Sequence, residues 1–284
     1  MNVQTEMATR VDDINRILSD NKDPFTIRFR KIPKSTGYIK NAFEIQNAVH
    51  GKISANPLVY EDDIKAMTDH EIVEYLEDIY KNEKLQIEEE EIGSKKYVLQ
   101  HALPHLVSGS RKSFFNEHGI ANISFLDMAV TFCVSVSGGF YTVSEAMVQS
   151  AGIRYDEIVA AAIKNREADY RICKMSDILG MRDIEEIPMT VVTSKSEIGV
   201  YGASIVLSQK AMKQVADRLG GSFLVLPSSV HEVICIPATL DLDIAEIRNT
   251  VREINNSDAV APDDVLTDSV YIWKQKEGRL EIAE

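Results

Sequence analysis

The residue types that could carry out chemistry gather most densely between Leu226 and Pro237, where Ser228, Ser229, His231 and Glu232 stand between two short apolar runs. A hydroxyl, an imidazole and a carboxylate are the parts of an activated nucleophile, in which the base takes the hydroxyl proton and the acid orients the base. The spacing works against that use. Successive side chains on a strand point to opposite faces, so His231 and Glu232 cannot both address one serine without a bend. The G-x-S-x-G turn that presents a hydrolytic serine is also missing. A simpler reading places Ser228 and Ser229 in a turn after Pro227, where their hydroxyls satisfy backbone groups. On that reading Ser228, Ser229, His231 and Glu232 are candidate binding residues, and none is assigned a catalytic role.

Other constellations are less complete. His101 and His105 have the i, i+4 spacing of helical zinc ligands, but Pro104 lies between them and Ala102 stands where the glutamate of H-E-x-x-H belongs. Asp263, Asp264 and Asp268 could gather a divalent cation, yet they lack the spacing and the glycine of an EF-hand. Gly199-Val200-Tyr201-Gly202 has the GxxG outline of an RNA-clamping loop, in a segment that reads as joining strands rather than helices. Neither G-x-G-x-x-G nor G-x-x-x-x-G-K-[ST] occurs. No metal and no cofactor is therefore expected. Cys133, Cys173 and Cys235 are far apart and odd in number, which suits free thiols in a reducing compartment.

Bulk properties narrow the class. The 284 residues are 44% hydrophobic and 26% charged, the proportions of a globular chain with enough apolar surface to fold without staples. No apolar run approaches the roughly 20 residues that span a bilayer, and the first residues lack the basic and apolar regions of a secretory signal, so a cytoplasmic location is expected. A formal charge of −13 disfavours direct nucleic-acid binding, because affinity for phosphate comes mainly from Lys and Arg. The same charge admits an acidic surface that imitates nucleic acid on a basic partner.

The elements that would position these residues can be read in order. Met7, Val11, Ile14, Ile17 and Leu18 recur at helical spacing, and Phe25 to Arg30 alternates as a strand does. Ser35-Thr36-Gly37 is a turn leading to a second strand, Tyr38 to Ile45, and Leu58-Val59-Tyr60 is a third. Thr68-x-x-Glu71 is a capping box ahead of a helix. The run Glu88 to Glu91 is the sharpest change of composition, and it sets the expected boundary between lobes 1–91 and 92–284. Beyond it, Tyr97 to Leu103 reads as strand-like up to Pro104, and Ile123 to Val136 is strongly apolar, with β character in Val130 to Val136 and Gly138-Gly139 closing it. A second capping box is read at Thr142 to Glu145, with helices to about Ser150 and from Tyr155 to Asn165.

The last hundred residues predict strands at Met189–Thr193 and Ala203–Leu207, then a helix capped by Ser208 with Met212, Val215, Ala216 and Leu219 inward and Gly220-Gly221 at its end. Strands at Phe223–Leu226 and Val233–Ile236 complete a β-β-α-β-β unit. A helix from Asp243 to Ile254 with Ile244, Ile247, Val251 and Ile254 on one face follows, and a hairpin at Val270–Trp273 and Leu280–Ile282 comes last. The expected fold is α+β, mixed helices and short, mainly antiparallel sheets in two lobes.

Several runs taken together resemble a known family. They are Tyr201 to Leu207, Leu226 to Ile234, Val251 to Asn255 and Ala261 to Tyr271, with Phe29 to Gly37, Phe125 to Val130 and Gly152 to Asn165 upstream. The chain is similar over most of its length, and most specifically in the last third, to a clostridial gut family known only as a domain of unknown function. Thr36-Gly37 and Leu207-Ser208 depart from the Asn-Gly and Tyr-Pro common there. The resemblance implies fold and lineage and carries no activity. The expected function is a non-enzymatic intracellular binding or regulatory protein with an unknown protein partner, with a mobile element as one source. A hydrolase built on the Ser-His-Glu cluster and an acidic inhibitor that mimics nucleic acid remain open beside it.

Overall fold

The computed structural model describes residues 3–47, 57–82, 92–136, 139–179, 189–195, 201–227, 229–240 and 242–284. Two units make up the chain: Met1–Lys34 with Tyr38–Tyr97 and Val136–Gly139, and Ser35–Gly37 with Val98–Ser135 and Phe140–Glu284. The runs Glu88–Glu91, Gly138, Gly199 and Ser228 lie outside the described residues.

In the first unit the helical spacing near the N-terminus forms the helix Val3–Asn21. It packs on a sheet of β1 (Phe25–Pro33), β2 (Ile39–Asn47) and β3 (Leu58–Tyr60), antiparallel in the order β1-β2-β3. Alternation along β1 buries Phe25 and Ile27 and exposes Thr26 and Arg28. Ile14 and Leu18 close over them together with Phe43, Ile45, Ile72 and Leu76. One polar contact pins helix to strand: Asn15 donates to the Ile27 carbonyl at 2.9 Å and accepts the Ile27 N–H at 2.8 Å. The capping box forms at Thr68, whose N–H donates to Glu71 Oε2 at 2.7 Å while the Glu71 N–H reaches Thr68 Oγ1 at 3.4 Å, opening the helix Asp69–Asn82. That backbone bond, with the Thr68 hydroxyl, holds the Glu71 carboxyl below its usual range.

The second unit contains two antiparallel sheets. The smaller has β4 (Ala102–Ser108), β5 (Asn122–Phe125), β6 (Met128–Val136) and β7 (Gly139–Thr142), with β6 paired to the other three. The larger has β8 (Arg171–Lys174), β9 (Thr190–Thr193), β10 (Phe223–Leu226), β11 (Glu232–Pro237), β12 (Tyr271–Lys274) and β13 (Arg279–Ile282), in the order β13-β12-β10-β11-β9-β8. The helix Tyr155–Arg166 lies on β4, where Asn165 Nδ2 donates to the Ala102 carbonyl at 2.8 Å. The amphipathic helix Gln209–Leu219 buries Met212, Val215 and Ala216, starts on Ser208 and stops at Gly220, whose φ of 80° is left-handed. Asp243 caps Ile244–Asn255 through the Ala245 N–H at 2.8 Å.

The β5–β6 hairpin turns at Leu126-Asp127, and Asp127 becomes an acceptor for three hydroxyls from the β12 region. Ser269 donates at 2.8 Å and Thr267 at 3.1 Å, and Tyr271 is the third donor. Tyr271 is fully buried. Burial first, and the Asp127 carboxylate second, push its phenol well above the usual value.

Four expectations change. Tyr97–Leu103 is not extended: Lys95–His101 is a helix, started by Ser94 Oγ accepting the Tyr97 N–H at 3.2 Å, and the strand begins at Ala102 and runs through Pro104. Proline is tolerated there because β4 is an edge strand. Gly202–Leu207 is a 3-10 helix rather than a strand; a short apolar run buried on all sides carries no period that separates the two. Ahead of the helix Gln209–Leu219 the antiparallel pair is β8 and β9, with the short helix Met175–Leu179 between them, in place of the expected pairing with Ala203–Leu207. The cap before Glu145 is Ser144, which accepts the Met147 N–H, because Thr142 is still in β7. Ile254 is 43% exposed instead of facing inward.

Two outcomes follow from these contacts. Ser208 is buried, accepts the Ala211 N–H at 3.0 Å and donates to Glu167 at 2.5 Å. Ser208→Ala should therefore cost about 1–2 kcal/mol in urea unfolding, and Ser208→Thr much less. For Tyr271 the unfolded chain ionises near pH 10 while the folded phenol keeps its proton, so stability is complete below that pH and falls as pH rises beyond it. The loss should approach ~1.4 kcal/mol per pH unit, and alkaline titration of Tyr271→Phe should show a flatter limb.

Candidate functional site

The segment between β10 and β11 is pinned from several sides. Ser229 Oγ accepts the His231 N–H two residues on, at 2.9 Å, which closes a tight side-chain turn. Val230 donates its N–H to the Asp264 carbonyl at 2.9 Å, and its own carbonyl accepts the Ala203 N–H at 3.2 Å. The His231 carbonyl accepts the Thr193 hydroxyl at 3.1 Å. Gly202 passes so close that a Cβ there would stand 2.4 Å from the His231 carbonyl oxygen.

The His231 ring is committed as well. Its Nδ1 accepts the Tyr201 N–H at 3.3 Å, which leaves the proton on Nε2, 3.4 Å from Asp264 Oδ1. Glu232 is exposed and opens β11 opposite Thr193. The structure thus gathers Ser229 and His231 but joins them through backbone, and it takes the carboxylate from Asp264 rather than Glu232. A ring-to-hydroxyl bond of the kind a Ser-His-Glu hydrolase needs is not among the contacts that Ser229 and His231 make here. The three aspartates do not converge either: Asp264 faces His231, while Asp268 accepts from Asn255 at 2.9 Å. Among the described residues no group of three or more His, Cys, Asp or Glu could hold a metal ion.

A second constellation, which spacing alone did not reveal, is centred on His105. In the β4–β6 register Leu103 lies opposite Cys133 and His105 opposite Thr131, so His105 and Cys133 are diagonal neighbours on one face. His105 Nε2 is 2.7 Å from Cys133 Sγ, and its Nδ1 is 3.0 Å from Ser35 Oγ. Thr131 donates to the Ser35 carbonyl at 3.2 Å. Ser35, His105, Thr131 and Cys133 are all at most 3% exposed. The ring of Tyr201 stacks on His105 with centroids 3.6 Å apart. Tyr201 holds a left-handed φ of 61°, uncommon for an aromatic residue, and this lets its ring cover His105 while its N–H meets His231.

Behind Cys133 lies Arg166, itself 2% exposed. Its Nη1 is 3.3 Å from Asp169, and its Nε has no hydrogen-bond partner among the described residues. Burial lowers the pKa of its guanidinium, and the charges of Asp169 and Cys133 act the other way. The imidazole in contact with the sulfur is a base that can take the thiol proton. Ser35 is held in place by its own turn. Arg111 donates to the Thr36 carbonyl at 2.5 Å and to the Pro262 carbonyl at 2.8 Å, and a Cβ on Gly37 would stand 2.4 Å from Arg111 Cδ. Glycine at 37 is therefore required by contact as well as by its φ of 88°.

A third feature is concave. Where the helix Ile244–Asn255 crosses the larger sheet, a groove of about 350 Å³ opens, lined by Leu224, Ile244, Ile272, Lys274, Glu281 and Ile282. Ile282 is 42% exposed in it. It runs beside β13, the edge of the sheet, whose Glu281 pairs with Lys274 and Arg279.

A family model described as a family of unknown function, DUF5688, matches residues 5–275. No curated protein and no solved structure matches the chain.

The contacts around His231 rank three substitutions. Ser229→Ala should lower stability by about 1–2 kcal/mol and His231→Ala by more, because the Tyr201 N–H and Asp264 both lose a partner. Glu232→Ala should stay within about 0.5 kcal/mol. Urea midpoints of the three variants give the order directly.

Proposed function

The chain belongs to the DUF5688 family, whose function is unknown, and from its geometry we propose that it is a cytoplasmic binding or regulatory protein that takes up an extended segment of another protein along β13. The observation that carries the proposal is the groove beside that edge strand, with an apolar floor and a charged rim. An edge offers unpaired backbone N–H and C=O groups, and an incoming strand gains main-chain bonds from them while alternate side chains enter neighbouring pockets. A floor of Leu224, Ile244 and Ile272 suits one branched apolar side chain.

Charge selects the rest of the segment. Lys274 and Glu281 offset one another at the rim, Glu284 adds a negative charge, and the chain carries −13 overall. A segment alternating Val or Ile with Lys or Arg therefore fits best. Recognition of this kind needs no catalytic group.

A synthetic peptide of alternating valine and lysine, titrated into the full-length protein and followed by amide chemical shifts, tests the proposal. Shifts should concentrate on Arg279–Ile282, and Ile282→Glu should weaken binding at least about tenfold, or ~1.4 kcal/mol. An alternating valine–glutamate peptide should bind more weakly. Shifts scattered over the surface, or equal binding by the two peptides, would overturn it.

A further inference from the structure

We propose that Cys133 is a modification site, a thiol that His105 and Arg166 prepare for reaction with a hydroperoxide. Three observations support it, independent of the groove. The sulfur lies 2.7 Å from His105 Nε2, so the imidazole can take its proton. The other ring nitrogen meets Ser35 Oγ at 3.0 Å, which fixes the ring and supplies a group that can donate or accept as the proton moves. Arg166 is buried within electrostatic reach of the sulfur, and its Nε–H has no hydrogen-bond partner among the described residues.

Burial defines the class of reagent. Cys133 is 1% exposed and His105 2%, under the stacked ring of Tyr201, so a peptide or sugar has no approach. A molecule of two heavy atoms is of the size that local opening admits. The step balances with hydrogen peroxide as the named oxidant. Cys133 gives its proton to His105 Nε2; the thiolate attacks one peroxide oxygen, an S–O bond forms and the O–O bond breaks. The departing hydroxide takes the proton from the imidazolium and leaves as water. Sulfur is oxidised to the sulfenic acid and peroxide oxygen is reduced.

The chain carries its own control. Cys235 is as buried as Cys133, but among the described residues no imidazole or guanidinium is found in its contacts, and burial pushes its thiol up. Cys173 is half-buried and tests exposure alone. The folded full-length protein is treated with hydrogen peroxide, the excess peroxide is removed with catalase, and the protein is then unfolded in urea containing dimedone, so that the cysteines oxidised in the folded state are read by mass spectrometry. Cys133 should react at least about tenfold faster than Cys235, and His105→Gln or Arg166→Met should bring it down to the Cys235 rate while Cys173 keeps its own. Where those variants fail to fold, the comparison of Cys133 with Cys235 in the unaltered chain still decides. Equal rates at the two, or oxidation of Cys133 only when the peroxide itself is added in urea, would overturn the proposal.

Discussion

The bond from the Tyr201 N–H to His231 Nδ1 is the constraint from which the interior of the second unit follows. It sets the tautomer of His231 and so directs Nε2 toward Asp264. It also holds Tyr201 in a left-handed conformation that costs roughly 1–2 kcal/mol for a residue with a Cβ. Because the backbone is held that way, the Tyr201 ring lies flat on His105, and His105 is left between Ser35 and Cys133. One imidazole thus orders a second imidazole through an aromatic ring.

The two histidines have opposite settings. His231 is about one-third exposed and bonded to a backbone donor and a carboxylate, which is an arrangement for joining chain segments. His105 is sealed and meets two groups that can each exchange a proton with it. Arg166 is buried as well, and among the described residues its Nε–H has no hydrogen-bond partner, an arrangement that ordinarily costs about 1–3 kcal/mol.

Much of the architecture was legible because its signals are local. Ser208 before Gln209–Leu219, Asp243 before Ile244–Asn255 and Thr68 before Asp69–Asn82 each announce a helix through a bond within three residues. The turn role of Ser229 is equally short in range. The 3-10 helix Gly202–Leu207 was not legible, since its backbone is fixed by Val230 and by the close approach of Gly202 to the His231 carbonyl. Nor could the His105–Cys133 pair be read: their meeting depends on the β4–β6 register, set 28 residues apart. Zinc-ligand spacing pairs His105 with His101, whereas its partner lies across the sheet.

The clamp at Asp127 ties the β5–β6 hairpin to hydroxyls about 140 residues further along, at Thr267, Ser269 and Tyr271. β10 likewise pairs with β12 across nearly fifty residues, in the middle of the larger sheet. Contacts of such long range close large loops before any of their stabilisation is gained, so assembly is slow compared with a helical chain of equal size. During synthesis β10 and the Asp127 turn leave the ribosome well ahead of the strand that completes them. Until residues 267–274 emerge, the second unit has an open strand flank and an acceptor without donors, which makes this the interval in which a chaperone has most to cover.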